Sequence, residues 1–376
     1  MSVSTAPKAP RTAKDRNARG ADTRRRGRAL LGDNRIGLLI LIAVLVIVIG
    51  SIQPMFFSTQ FVIAPMLTNI AIFTVVGLAQ MVVLSVGQMN LAIGGMAAVG
   101  AMVAGMTFQA FGVPLIVGLL AGLLAGGLVG AICGVLVAKA GVNSFVVTLA
   151  MSFALLGLVP TVYARVSAGS AITVQVPGLN EFGRFKTSDL CIGDTCGPAG
   201  IPLLLFVALF AMLVIGFLFS RMRFGRETLL TGSSDRAALL SGIPVAARII
   251  LVHTLSGVLA GLAGFMLAAS TGSFTPGIGQ EFMLQSFLGP ILGGTLLAGG
   301  YVSVIGTFLG ITLTVVIRQG LLIFGVGIEG LNILLGTVLL LALSADRVRD
   351  VMGQRSQLRA ARQPSVERTG EAVVSS

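Results

Sequence analysis

Long apolar runs, each ended by a few polar or glycine positions, divide this chain into about ten segments. They cover roughly 36–52, 62–86, 89–110, 113–138, 142–163, 200–220, 246–270, 282–298, 302–324 and 328–344. About 20 apolar residues suffice to cross a bilayer as a helix, so each run has spanning length. The runs are continuous rather than alternating, which argues against a β-barrel. The pattern predicts an all-α polytopic integral membrane helical bundle. The third and eighth runs are interrupted by glycine, so each is a candidate for a broken or re-entrant helix. Such breaks are tolerated only where they face protein or a water-filled path.

Composition agrees with the pattern. The 376 residues have a mean hydropathy of +0.96, and 11% are charged. The net charge of +12 would fit a nucleic-acid binder, but its placement argues against one. Ten of the 26 basic residues precede position 36, five lie between Arg221 and Arg248, and six follow position 344. With ten spans all three groups share one face, which the positive-inside asymmetry makes cytoplasmic, along with both termini. Residues 1–35 read as a basic disordered arm near anionic lipid, 36–345 as the membrane domain, and 346–376 as a polar cytoplasmic tail. The basic stretch is too long for a signal peptide, and no small-residue cleavage site follows 36–50, so that run is an uncleaved first span.

Two loops stand out. The external loop 164–199 carries Cys191 and Cys196, which either close a disulfide or remain free thiols; two cysteines without a nearby histidine make a poor metal site. The loop 221–245 reads as a short charged helix on the inner face. Ser234 supplies a cap, Asp235 sits at the positive end of the helix dipole, and Gly242 followed by Pro244 ends the turn. A helix only about 10 Å long is marginal by itself and needs something to pack against.

Catalytic chemistry is missing. The one histidine, His253, falls inside a span and reads as a buried core residue. No Ser-His-Asp set, metalloprotease helix motif or phosphate-binding loop is present, so the chain does not hydrolyse nucleotide itself. Intramembrane polar residues are the remaining candidates, because they are costly in lipid. Arg318 either pairs with Glu329 across a short turn or lines a path. Asn69, Gln80, Gln88, Asn90, Asn143, Gln285 and Asn332 suit either a hydroxyl-rich neutral solute or interhelical hydrogen bonds. Gly118, Gly122, Gly126, Gly130 and Gly134, four apart, give one helix a smooth face for close packing, and Cys133 beside them reads as a small packing residue.

Three stretches together resemble the permease subunit of bacterial ribose/xylose/galactose-type ABC importers, over about residues 65–345. The first holds Gly225, Arg226, Gly232, Ala237, Ala238, Ser241, Gly242 and Ile243, with Leu230 for the usual alanine and Ser234 for the usual asparagine. The second holds Leu292-Gly293-Gly294-Thr295, Gly299-Gly300, Ser303 and Gly306-Thr307, with Tyr301 and Val302 for arginine and glycine. The third is Gly87 to Gly94, where Asn90 replaces aspartate and Gln88 a glycine. The resemblance implies a second permease copy, identical or related, enclosing a central path. It also implies two cytoplasmic ABC ATPase domains that bind the ATP, an extracytoplasmic solute-binding protein and residence in the bacterial inner membrane. On that basis Gly225, Arg226, Ser234, Asp235, Arg236, Ala237, Ala238, Ser241 and Gly242 are expected to couple the permease to its ATPase. Asn69, Gln88, Asn90, Asn143, Gln285, Arg318 and Asn332 are the path candidates. The rival reading is a secondary carrier or channel for small neutral solutes, independent of any ATPase.

Overall fold

The computed structural model describes residues 34–167, 171–172, 178–186 and 200–327, with 330, 333, 336, 337 and 340. The expected arm 1–35, except 34 and 35, lies outside the described residues, as do the tail 346–376, Cys191, Cys196, Glu329, Asn332 and most of the run 328–344. The chain forms two compact units, one ending at Ile323 and the other beginning at Phe324. All that follows concerns the first.

Twelve α-helices make up that unit among the described residues: α1 Asn34–Ile52, α2 Ala64–Leu84, α3 Ile93–Phe111, α4 Leu115–Ala140, α5 Ser144–Val166, α6 Leu179–Arg184, α7 Leu203–Arg221, α8 Arg223–Ser233, α9 Asp235–Leu240, α10 Val245–Thr271, α11 Phe282–Leu292 and α12 Val304–Ile323. Eight segments are long and apolar enough to cross a membrane. The all-α polytopic reading therefore holds. Seven of the first nine expected runs appear as single helices close to their expected bounds.

The two glycine-interrupted runs differ. The chain leaves α2 through a turn with Gly87 at φ +69°, and Asn90 Oδ1 accepts the Ala92 N–H at 3.0 Å, so α3 starts only at Ile93. The run 282–298 is not one crossing helix. Its helix, α11, stops at Leu292 after 11 residues, because Gly294, Gly299 and Gly300 all take positive φ.

Helix α2 is the axis of the unit and packs against α7, α10, α11 and α12. Its residues from Ile70 to Leu84 are buried without exception. The most extensive helix contact is between α4 and α10, and glycine makes it. A Cβ at Gly126 would press on the Gly257 carbonyl, one at Gly130 on the His253 carbonyl, and one at Gly134 would sit 2.8 Å from Ile250 Cα. The backbones thus approach closer than any side chain would allow, and dispersion replaces the hydrophobic driving force that lipid removes. Cys133 is buried beside this seam, as a packing residue should be. The opposite face of α4 carries Leu120, Leu124 and Leu128, all exposed and four apart, as a lipid-facing stripe requires.

This seam yields a test. Gly130→Ala should lower stability by about 1–3 kcal/mol through overpacking. Gly216→Ala, where the new methyl meets nothing within 4 Å, should not destabilise at all. Thermal unfolding in detergent micelles compares the two.

Candidate functional site: the inner junction

The loop 221–245 was expected to hold one short helix from Ser234; residues 223–233 before it form a second, α8. Its buried face is Gly225, Thr228 and Thr231, three apart, with charged residues between them; that spacing of small residues was the available signal. Gly225 lies flat on α7, where a Cβ would press on Phe219 Cα. Thr228 and Thr231 bond back to the Phe224 and Glu227 carbonyls at 2.6 and 2.9 Å, so their hydroxyls need no other partner. One ion pair anchors the helix: Arg248 Nη2 on α10 lies 2.6 Å from Glu227 Oε2. The Arg248 guanidinium also stands 5.8 Å from the centre of the Phe224 ring.

Helix α9 follows at once. Ser234 Oγ accepts the Ala237 N–H at 3.3 Å, and Asp235 occupies the first turn. At the other end Ser241 and Ile243 donate to the Ala237 and Ala238 carbonyls, with Gly242 at φ +76°. The cap and stop expected from sequence are both present. Ala238 and Ile243 point inward and are buried. Of the two alanines expected to couple, Ala238 belongs to the seat and only Ala237 faces out. Gly225 is likewise part of the seat. Arg226, Ser234, Asp235, Arg236, Ser241 and Gly242 are exposed. Sequence reasoning missed Leu239 and Leu240, which are 60% and 91% exposed at the tip of α9. Two bare leucines on a capped, charged helix are the kind of knob that a complementary groove takes up.

The three stretches that carried the resemblance converge here. A Cβ at Gly232, near the end of α8, would press on the Ser85 carbonyl and on Gly300 N. Gly300 N–H donates to the Ser85 carbonyl at 3.0 Å. Gly87 and Gly299 lie against each other, each too close for a side chain, and Gly87 also lies against the Ala298 carbonyl. Hence the end of α8, the turn after α2 and the loop before α12 form one backbone-to-backbone knot.

The path candidates are placed unevenly. Gln88 Oε1 accepts from His253 Nε2 at 2.9 Å, while His253 Nδ1 has no partner among the described residues. Asn90 is fully buried and donates to Ser256 Oγ at 3.0 Å. Both therefore tie the interrupted segment to α10. Asn143 is exposed and caps α5 by accepting the Phe145 N–H at 2.8 Å; with Gln88 it borders a cleft of about 480 Å³. Asn69 is half-buried on α2. Gln80 is fully buried with neither amide atom paired among the described residues. Glu329, the carboxylate expected for Arg318, lies outside the described residues. The Arg318 partner is Glu281, at 2.9 Å, because the loop before α11 folds back onto α12. Gln285 donates to the same carboxylate at 3.4 Å, and Arg318 stands over the Phe73 ring. No group of three or more His, Cys, Asp or Glu side chains gathers among the described residues.

Residues 62–343 match a family model described as the permease component of a branched-chain amino acid transport system. The chain belongs to this family of transport permeases. Among its relatives are the ribose import permease of Bacillus subtilis, 30% identical over 83% of this chain and 92% of the relative, and the D-allose permease of Escherichia coli, 27% identical over 84% and 92%. An L-arabinose permease of Azospirillum brasilense is 29% identical over 92% of this chain and 97% of its own length. No solved structure matches. The permease is thus a non-catalytic, multi-pass transport component of the bacterial inner membrane.

Loss of the α9 cap is measurable in this permease. Ser234→Ala should weaken the first turn by about 1 kcal/mol, and Ser234→Asn should not. Hydrogen exchange at the Ala237 amide should quicken about fivefold in the alanine variant only.

Proposed function

We propose that this permease forms the membrane path of an ATP-driven importer for a sugar or sugar-like neutral solute. It works with a second permease copy, two cytoplasmic ABC ATPase domains that bind the ATP, and an extracytoplasmic solute-binding protein. The sugar assignment rests on relatives named for ribose, allose, fructose and L-arabinose. The single observation that carries the coupling mechanism is the inner junction: an exposed, capped helix tipped by Leu239 and Leu240 leads rigidly into the knot at Ser85, Gly232 and Gly300.

ATP binding closes the ATPase pair, and α9 moves with the groove that holds Leu239 and Leu240. Arg226, Asp235 and Arg236 set the register of that contact by charge. Helix α8 transmits the displacement, because Glu227–Arg248 fastens it to α10 and Gly232 fastens it to the turn after α2. That turn holds Gln88 and Asn90, which carry the push to His253 and Ser256. The bundle then rocks between inward- and outward-open forms. The binding protein supplies most of the selectivity.

Reconstituted with its partners, the transporter should accumulate one of D-ribose, D-allose, D-fructose or L-arabinose only with ATP inside the vesicles. Leu240→Asp should cut uptake at least about tenfold, a loss of about 1.4 kcal/mol in coupling, while the protein still folds. Gly242→Ala, strained at φ +76°, should act in the same direction. Undiminished uptake in both variants would show that α9 does not couple. Ion-driven accumulation by the permease alone would instead establish a secondary carrier.

A further inference from the structure

The inner junction accounts for coupling but not for where the solute sits. A cavity of about 410 Å³ lies where two interrupted segments meet the middle of α5. One wall is the first turns of α3, with Gly94, Gly95 and Ala98. A second is α5 from Leu149 to Pro160. The third is the stretch from Pro276 to Met283 that leads into α11. Gly94 and Gly279 form the floor between the first and third walls. Each lies so near the other's carbonyl that neither tolerates a side chain, and Gly279 has φ +84°. Since α5 runs from 144 to 166, its lining residues fall at the centre of a crossing helix.

We propose that this cavity is the transit site for one monosaccharide, an inference that rests on the sugar-import reading. Four observations support it. Its size falls within the roughly 300–1,000 Å³ of small-molecule pockets. It sits where irregular backbone meets inside the membrane, which is stable only against protein or a water-filled route. Its polar side chains are few and uncharged, Ser152 and Gln280, and Pro160 beside them leaves the Leu156 carbonyl without its usual intrahelical N–H partner. No Asp, Glu, Lys or Arg lines it among the described residues. The exposed Phe153 ring borders it and offers a flat apolar surface for the C–H face of a sugar. An acyl chain would fit the apolar wall but would leave those polar groups without partners.

The site is weak by construction. A few hydrogen bonds and one ring face hold a sugar for a moment, and a solute that must leave on the far side needs no more.

Ser152→Cys and Gln280→Cys, made separately in the complete transporter, test this. In membrane vesicles a water-soluble, charged methanethiosulfonate should label both above the level of the unsubstituted chain. The sugar that the transporter takes up, among ribose, allose, fructose and arabinose, should slow labelling severalfold. A cysteine at the lipid-facing Leu124 should stay unlabelled. No labelling at either cavity position overturns the assignment, as an acyl-filled cavity would give. Labelling that the transported sugar leaves unchanged overturns it too. Failure of the sugar-import reading looks different: the unsubstituted transporter then takes up none of the four sugars.

Discussion

Backbone amides and carbonyls cannot be left bare in hydrocarbon, and this constraint governs the permease wherever its helices break. The chain leaves helical geometry between α2 and α3 and on both sides of α11. Each gap is closed by backbone lying on backbone: Gly87 on Ala298 and Gly299, Gly232 on Ser85 and Gly300, Gly94 on Gly279, Gly293 on Gly306. Some of these contacts are hydrogen bonds, as from Gly300 to Ser85. The rest are close packing that shuts lipid out. Glycine is required at these places because no other residue lets two main chains come so near.

Rigidity and mobility are thereby separated. The α4–α10 seam is close-packed along its length through Gly122, Gly126, Gly130 and Gly134. The knot at the inner junction joins three segments that are far apart in sequence, through few contacts. The polar ties inside the turn after α2, Gln88–His253 and Asn90–Ser256, are neutral. Neutral bonds can break and re-form during a cycle without stranding a buried charge, which would cost several kcal/mol. The charged ties, Glu227–Arg248 and Glu281–Arg318, lie where water reaches at least one partner, since the side chains are 21–56% exposed.

Much of this was legible in the sequence. Apolar run length located the crossing helices, because lipid imposes that length directly. The four-residue glycine spacing in α4 foretold a packed seam, since period alone sets the face. Ser234 and Gly242 foretold the ends of α9, because caps are local. What failed to show was tertiary. The Arg318–Glu281 pair was not foreseen, for no local rule brings the loop before α11 back to α12. Ala238 turned inward and Ala237 outward, although their chemistry is identical, because only the seat decides between them. Helix α8 was hidden since its buried face is small and polar rather than apolar.

Asn90 shows how one substitution can follow from the surroundings it enters. The pattern that this stretch resembles has aspartate at this position. Here the residue is fully buried, and its amide does two things at once: Oδ1 accepts from Ala92 N–H, and Nδ2 donates to Ser256 Oγ. An aspartate could keep the first bond but not the second as drawn, because a carboxylate has no proton to give. Ser256 would have to reverse its hydroxyl, and a buried charge would stand beside the Met96 sulfur, 3.5 Å from the amide nitrogen. Asparagine keeps the turn closed without charge, so the tie between the interrupted segment and α10 stays intact at any pH at which the protein folds. Neutrality at this position matches the nearby cavity bordered by Gly94 and Gly95, which no charged side chain lines among the described residues.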